Sequence, residues 1–163
     1  LYYFLLILMA SMALIVSGCA STAVSTSSSK TFSVSLVVAP DANPDHQGRP
    51  SPVIVKIYQL KALNTFQKTE FFSLLDAGKT VLEDDLLSYE ERELQPGMDY
   101  EYVMDVDSKV QYIAVVAEFR NFEKSRWRAT VKVPEKSMFD FIKSQILQVK
   151  VESLSVSASF IEP

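Results

Sequence analysis

Cysteine, histidine and glycine are scarce in this chain of 163 residues, and each shortage excludes a class of function. The only cysteine is Cys19, which excludes an intramolecular disulfide and a zinc site built from several cysteines. The only histidine is His46, which excludes a metal site that needs two histidines and leaves one candidate base for a triad. Four glycines, all isolated, exclude a glycine-rich phosphate loop.

An excess of positive charge is also missing. Lys and Arg number 16 against 20 Asp and Glu, which gives a formal net charge of −4 and a pI near 5.0. Broad binding of DNA or RNA requires a basic face, so this balance argues against a nucleic-acid partner.

The polar side chains show no catalytic pattern. His46 lies beside Asp45 in a polar loop, which is typical of an exposed histidine rather than a catalytic base. The acidic pair Asp84-Asp85 and the charged run 90–93 lack a partner motif, and adjacent strand residues point to opposite faces of a sheet. We therefore expect no enzyme activity, no catalytic residue, no bound metal and no cofactor.

The first 18 residues differ in kind from the rest. The segment Leu1 to Gly18 is strongly apolar and uncharged, and it is shorter than the about 20 apolar residues of a membrane-spanning helix. Its length is typical of a secretory signal peptide. Residues 16–19, Val-Ser-Gly-Cys, resemble the lipobox of bacterial lipoproteins, which implies cleavage before Cys19 and attachment of diacylglycerol and an N-acyl chain to it.

The stretch after Cys19 is rich in Ser and Thr and has too little apolar surface to fold, which predicts a flexible tether. Ala20 stands where lipoproteins retained in the inner membrane typically carry Asp. The resemblance therefore implies an outer-membrane location facing the periplasm. We divide the chain into a signal peptide at 1–18, an acylated tether at 19–30 and a folded domain at 31–163.

Alternation of apolar and polar residues predicts a β-rich domain. The alternating segments are 31–39, 99–107, 111–120 and 126–133. Val53 to Leu60 is a β-branched run typical of a buried strand. In the last segment, 147–160, the apolar residues switch from odd to even positions near Glu152-Ser153, which predicts a one-residue bulge. Six to eight short strands without a βαβ rhythm indicate an all-β, antiparallel β-sandwich.

One segment breaks the strand pattern and predicts a short added helix. Phe66, Phe71 and Leu74 recur at roughly helical spacing. Asn64 is placed to cap the start of this helix, and Ala77-Gly78 to end it. The other expected elements are a strand at 89–94, a turn at 95–98 and a helical turn within 134–142.

Trp127 and three nearby arginines form a separate group. Alternation places Trp127 on the same face as Ala129, which predicts a core position. Arg120, Arg126 and Arg128 would form a basic strip on a hairpin. We expect them to pair with carboxylates of the sheet rather than to bind phosphate.

The loop between the first two predicted strands is the most informative stretch. It runs from Pro40 to Pro52 and holds four of the seven prolines. Proline fixes φ and lacks an N–H donor, so the loop is comparatively stiff and unable to pair as a hairpin. A stiff, polar, protruding loop loses little entropy on docking, which suits recognition; a plain connector is the alternative.

Short segments spread over residues 31–133 carry a resemblance to a known family. They are Asn43-Pro-Asp45, Gly48-Arg-Pro-Ser-Pro-Val53, Val55-Lys-Ile-Tyr-Gln-Leu-Lys61, Glu70-Phe-Phe-Ser-Leu74, Leu94-Gln-Pro-Gly97, Tyr112 to Arg120 and Trp127-Arg128. Behind a lipobox, and in this order, they resemble TssJ, the outer-membrane lipoprotein family of the type VI secretion system. Ala114 stands where many members carry glycine.

The resemblance implies a transthyretin-like β-sandwich with added helical elements. It also implies a function, which is to anchor the trans-envelope complex by binding the periplasmic part of TssM, with TssL in the same assembly. In the family, the loop between strands one and two contacts TssM. Carried over, the partner-binding residues are Asp41, Asn43, Asp45, Gly48 and Arg49.

Two rival functions stay open at this point. One is a periplasmic lipoprotein that carries a ligand in a pocket of its β-sandwich, and a weaker one is a periplasmic hydrolase. An apolar cavity with convergent polar groups would favour the carrier, whereas a filled core with an exposed loop favours the anchor.

Overall fold

The computed structural model describes residues 29–134 and 145–163. The predicted signal peptide, Cys19, most of the tether and most of the helical turn expected within 134–142 lie outside the described residues. The strands are β1 Ser29–Val38, β2 Val53–Leu60, β3 Leu86–Leu94, β4 Asp99–Asp107, β5 Tyr112–Ala117, β6 Arg128–Lys132, β7 Ile146–Val151 and β8 Val156–Ile161. The helices are α1 Asn64–Lys68, α2 Phe71–Val81 and a short 3-10 helix at Phe122–Lys124.

The strands form two four-stranded sheets. Sheet A has the order β4-β1-β7-β8 and sheet B the order β3-β2-β5-β6. The predicted β-sandwich with an added helical region is confirmed. One pair departs from the antiparallel pattern, because β1 and β7 run parallel. The chain enters β7 from β6, which belongs to the other sheet. Strands β1 and β7 are therefore not consecutive in the chain, and no hairpin forces them to run antiparallel.

The space between the sheets is filled by the inward residues of the alternating strands. In β1 these are Phe32, Val34, Leu36 and Val38, all buried as the period-two pattern predicts. They pack in one cluster with residues from β2, β5 and β7, among them Val55, Ile57, Ile113, Val115, Leu147 and Val149. Burial of these side chains from both sheets holds the sandwich together.

The outer face of sheet B is covered by the helices. Ala114 and Val116 of β5 point to this face and are fully buried beneath the helices. Phe66 of α1 and Leu74 of α2 supply the covering apolar side chains. Segment 111–120 was predicted to alternate, but β5 is buried on both faces, which explains why the residues between its inward positions are apolar as well.

The predicted single helix is divided in two. A side-chain cap by Asn64 was expected, but Leu63 is the N-cap and makes no side-chain cap bond. The chain becomes extended at Thr69 and Glu70, where ψ is 134° and 157°. Arg128 Nη1 donates hydrogen bonds to the Phe66 and Thr69 carbonyl oxygens near this break, at 3.3 and 3.1 Å.

The predicted end of the helix at Ala77-Gly78 falls on a break in the helical backbone, beyond which a further helical turn follows. Helix α2 kinks at Ala77, where φ is −132°, and continues to Val81. Gly78 lies against the aromatic ring of Tyr58 on sheet B, and a Cβ at Gly78 would be 2.9 Å from Tyr58 Oη. The glycine therefore permits close packing of the helix on the sheet, whereas the sequence signal suggested a helix end.

The bulge predicted near Glu152-Ser153 is wrong, because the chain turns there. Strands β7 and β8 pair antiparallel on either side of the turn. The Glu152 N–H donates to the Ser155 carbonyl oxygen at 2.8 Å, and Ser155 Oγ donates to Glu152 Oε2 at 2.7 Å. The switch of the apolar residues from odd to even positions therefore marks a hairpin turn between two strands. The turn expected at 95–98 is present, with Gly97 at φ 74°.

The two ends of the sandwich differ. Strand β1 starts at Ser29, where the tether joins, and ends about 33 Å away at Val38, at roughly 3.3 Å per residue. We call the end where β1 starts the tether end and the other the distal end. The distal loops are 39–52, 95–98, 118–127 and 152–155. None of the helices in the described part of the chain is long and apolar enough to cross a membrane.

Candidate docking surface at the distal end

The five predicted partner-binding residues lie in the distal loop 39–52, but they do not share one role. Asp41, Gly48 and Arg49 are exposed to solvent. Asp45 is partly buried, and Asn43 is only 2% exposed. The loop is therefore built from residues that face outward and residues that hold its shape.

Asn43 connects three distal loops. Its backbone has the left-handed φ of 51°, which asparagine tolerates better than most residues. Its side-chain Nδ2 donates to the Pro52 carbonyl oxygen at 2.7 Å, and its Oδ1 accepts from the Arg120 N–H at 2.8 Å. Its own N–H donates to the Ser153 carbonyl oxygen at 2.9 Å. Little of its surface is left for direct contact with a partner.

Asp45 organises the outer part of the loop. Its Oδ1 accepts from the N–H groups of Gln47 and Arg49 at 2.8 and 3.0 Å. Its Oδ2 receives the Arg49 guanidinium, with Nε at 2.9 Å and Nη2 at 2.8 Å. The backbone N–H of Arg49, ahead of its guanidinium, lowers the pKa of Asp45 to about 2. The carboxylate therefore stays ionised, and this arrangement persists, at any pH above about 4.

A short backbone ring closes the loop around Asp45. The Asp45 N–H donates to the Arg49 carbonyl oxygen, and the Gly48 N–H donates to the Asp45 carbonyl oxygen, both at 2.9 Å. Gly48 has φ 78°, and a Cβ there would meet no atom within 4 Å, so backbone conformation rather than space favours glycine. These bonds give the loop the stiffness expected from its prolines. They present the Arg49 side chain, which is 70% exposed, in a fixed position.

The loop faces the neighbouring loop 118–127 across a shallow groove of about 330 Å³. Pro44, Asp45 and His46 line one side, and Arg120 and Asn121 line the other. The Arg120 N–H, bonded to Asn43 Oδ1, fixes the two sides relative to each other. The exposed surface of loop 39–52 therefore continues across the groove onto Arg120 and Asn121 of loop 118–127.

The arginine group does not behave as expected. Arg120 and Arg126 are exposed, and within residues 29–134 and 145–163 their side chains form no ion pair or hydrogen bond, so the prediction that they pair with carboxylates is wrong. Arg128 instead bonds backbone carbonyls, and its guanidinium lies 4.7 Å from the Trp127 ring centroid. Trp127 is half-buried and packs against the core between the sheets and against the apolar layer beneath the helices, so it lies at the edge of the core rather than at the predicted core position.

Phe72 and Phe122 are surface residues that the sequence reasoning did not identify. Phe72 is 55% exposed in the first turn of α2, and Phe122 is half-buried in the short 3-10 helix. Neighbouring aromatics on a helix point in different directions, so only one of Phe71 and Phe72 is buried. That spacing was the available signal for Phe72. Phe122 lies in an element too short to show any periodicity.

A second hollow, of about 370 Å³, lies beneath α2 on the outer face of sheet B. Its lining includes Lys56, Lys79 and Glu91. Lys56 Nζ is already engaged by Glu118 Oε1 at 2.9 Å and by the Leu75 carbonyl oxygen at 3.0 Å. The described part of the chain contains no group of three His, Cys, Asp or Glu side chains suited to a metal ion.

A helix-covered β-sandwich with its distal loops tied into one surface defines a scaffold for protein contacts. Residues 30–154 match the T6SS-SciN family of type VI secretion lipoproteins, which includes VasD, EvfM and TssJ. The chain belongs to this family, as its sequence segments suggested. The comparison with curated proteins gives no match.

Solved structures share the fold. The T6SS lipoprotein TssJ1 from Pseudomonas aeruginosa has a TM-score of 0.73 at 22% identity, covering 83% of this chain and 98% of that one. Lip from Serratia marcescens, a membrane-bound component of the type VI secretion system, has a TM-score of 0.71 at 20% identity, covering 81% and 97%. A chain in a structure of the T6SS protein TssM C-terminal domain (869–1107) from EAEC has a TM-score of 0.58 at 20% identity, covering 81% and 98%.

Proposed function

We propose that this protein is a non-enzymatic outer-membrane lipoprotein that anchors the type VI secretion trans-envelope complex by binding the periplasmic part of TssM. The observation that carries the proposal is the distal loop 39–52, a fixed and exposed polar surface at the end opposite the tether. Within it, the partner-binding segment is 41–49. Its members are Asp41, Asn43, Asp45, Gly48 and Arg49.

The position of the loop suits an anchor. Lipid on Cys19 would hold the tether end near the outer membrane, because the residues between Cys19 and β1 reach at most about 35 Å. Strand β1 then carries the chain roughly 33 Å further to the loop. A partner that approaches from the inner membrane would therefore meet the distal end first.

Related structures support TssM as the partner. In the structure of the TssM C-terminal domain, the alignment covers 81% of this chain and 98% of the matching chain. A chain with this fold therefore occurs in a structure of the TssM C-terminal domain. A further match, with a TM-score of 0.68, comes from a type VI membrane complex.

The chemistry of the loop also fits recognition. Asn43 and Asp45 fix the loop before any partner arrives, which reduces the entropy lost on docking. Asp41, His46, Gln47 and Arg49 have the exposed side chains that are left to make contact. Two of them carry charge, so they would contribute orientation and specificity as well as affinity.

The test measures the affinity of residues 20–163 for the purified periplasmic part of TssM by isothermal titration calorimetry. In the test variant, Asp41, His46 and Arg49 are replaced by Ala, which leaves Asn43 and Asp45 in place. Loss of the exposed contacts should weaken binding by about 100-fold, as for other contact residues at the centre of an interface.

The matched control replaces three exposed residues of the loop at the tether end, Ser108, Lys109 and Gln111, by Ala. The control should bind like the unaltered domain, and both variants should melt at nearly the same temperature as it does. Unchanged affinity of the 41–49 variant would place the docking site elsewhere. Failure of the unaltered domain to bind would overturn the proposed function itself.

A further inference from the structure

We propose that the docking surface extends past loop 41–49 onto an aromatic and basic patch, and that this patch takes an acidic segment of the same partner that carries apolar side chains. We call it the distal patch. Its residues are Phe72, Phe122, Arg120, Lys124 and Arg126. This inference rests on the proposed function, because it assigns a second contact to the partner that binds the loop.

The exposed ring of Phe72 is held in place by other rings. Its centroid lies 5.3 Å from that of Phe71 and 4.8 Å from that of Phe122, both edge-on. Phe71 and Phe122 stack with centroids 4.8 Å apart, and Phe71 also meets Trp127 edge-on at 5.1 Å. A preorganised, exposed aromatic loses little freedom on binding, which is the property of an interface anchor.

Phe72 is unusual on this surface. The large apolar residues exposed in the described part of the chain are Phe72, Val81, Met98 and Val103. Phe72 is the only aromatic residue among them. More than half of the residue's surface stays in water although three other aromatic rings are clustered beside it, so an apolar group of another molecule could pack there.

The cations around the rings lack partners of their own. The side chains of Arg120, Lys124 and Arg126 are exposed, and no ion pair or hydrogen bond is formed by them within the described ranges. Within segment 120–126 one exposed carboxylate, Glu123, lies among the three cations, while Glu118 is bound by Lys56 at 2.9 Å and exposed Glu70 precedes Phe71 on the other side of the rings. In a chain of net charge −4, the positive excess of segment 120–126 is complementary to an acidic segment and would speed its association.

The distal patch is continuous with the proposed docking loop. The Arg120 N–H bonds Asn43 Oδ1 at 2.8 Å, and Arg120 and Asn121 form one wall of the groove beside Pro44 and His46. Phe122 is the next residue of the chain. A partner seated on the loop would therefore reach Phe122 without leaving the surface.

The occupant of the patch is a protein segment rather than a membrane. The patch lies at the distal end, roughly 33 Å along β1 from the point where the tether joins. Lipid headgroups at the anchoring membrane would meet the tether end instead.

The experiment titrates the periplasmic part of TssM into residues 20–163 carrying Phe72→Ser, or the pair Arg120→Glu and Arg126→Glu. Phe72→Ser should weaken binding about 10-fold or more, as expected for an aromatic anchor. In a kinetic binding measurement on the same proteins, the charge reversal should slow association about 10-fold and reduce its dependence on salt. The matched controls are Val103→Ser, which alters a residue 65% exposed on sheet A, and Lys150→Glu, also exposed on that sheet.

The outcomes separate this inference from the proposed function. Affinities within twofold of the unaltered domain for the patch variants, together with weak binding by the 41–49 variant, would refute the patch and leave the function standing. No binding by the unaltered domain would refute both. If Phe72→Ser instead abolished self-association in sedimentation, or adsorption to vesicles containing phosphatidylglycerol, the assigned occupant would be wrong.

Discussion

At the scale of single residues, Asn43 acts through the shape of the loop. The resemblance of the chain to the TssJ family predicted that Asn43 contacts the partner, yet its side chain is buried and bonded to Pro52 and to Arg120. Its N–H reaches Ser153. A residue with these bonds determines where three loops meet, so a binding defect caused by its substitution would not by itself prove contact.

Asn43→Ala should destabilise the domain by about 2–4 kcal/mol. The substitution removes two partly buried side-chain hydrogen bonds, to the Pro52 carbonyl oxygen and from the Arg120 N–H, and places alanine at a positive φ. Urea unfolding followed by circular dichroism measures the change. The matched control is Asn64→Ala, because Asn64 is exposed and makes no capping bond, so its cost should stay within about 0.5 kcal/mol. Equal effects of the two substitutions would contradict the connecting role of Asn43.

At the scale of elements, the strands were the most predictable part of the fold. The alternation in β1 and the β-branched run of β2 each follow from residues that are close in sequence. The parallel pairing of β1 with β7 was not predictable, because it joins residues more than 100 positions apart. The break between α1 and α2 was not predictable for the same reason, because the guanidinium that bonds the carbonyl oxygens near it belongs to Arg128, which is distant in sequence.

The candidate site was predictable in part for a similar reason. Four prolines in loop 39–52 indicated a stiff segment from local sequence alone. The distal patch depends on contacts between Phe72 and Phe122, which lie in separate elements and meet only in the folded domain. Local periodicity carries no information about such a contact.

The packing of α2 on sheet B predicts that Gly78→Ala lowers the free energy of unfolding, the opposite of its usual effect in a helix. Gly78→Ala in a helix usually stabilises a protein by up to about 1 kcal/mol. Here the added Cβ would lie 2.9 Å from Tyr58 Oη, which donates to the Leu74 carbonyl oxygen, so we expect a loss of about 1–3 kcal/mol.

The double variant tests the cause of that loss. Tyr58→Phe removes the hydroxyl and leaves ring atoms 3.6 Å from the new Cβ, an ordinary contact. In this background Gly78→Ala should become neutral or stabilising, as measured by thermal and urea unfolding in a double-mutant cycle. The same loss in both backgrounds would show that the hydroxyl contact is not the reason for glycine at this position.

At the scale of the whole molecule, side chains and backbone link the two sheets along both of their open sides. On one side, Tyr102 of β4 donates a hydrogen bond to Glu90 of β3, and the Arg92 guanidinium lies 3.8 Å from the Tyr102 ring centroid. Burial, with the Glu90 carboxylate, raises the pKa of Tyr102. On the other side, the Arg126 N–H donates to Leu154 near β8 at 2.9 Å.

These links make the sandwich a rigid connector between its two ends. Strand β1 pairs with β4 over its whole length and with β7 over its distal half. Because β1 joins the tether directly to loop 39–52, a pulling force between them would be carried along its covalent backbone, while the hydrogen bonds to β4 and β7 hold that strand in the sandwich. That geometry suits a protein held by lipid at one end and by a partner at the other.

The division of labour between the two ends can be tested with Cys19→Ser. Without the thiol no lipid is attached, so the domain should move from the outer-membrane fraction to the soluble periplasmic fraction, because multiple acyl chains are what hold such a protein firmly. The unlipidated variant, purified from the periplasmic fraction, should bind the periplasmic part of TssM as before, since the distal loops are unchanged. Secretion by the type VI system should be lost while this binding is retained. Persistent outer-membrane association of the variant in cells lacking TssM would contradict anchoring through Cys19, and loss of TssM binding would contradict the independence of the two ends.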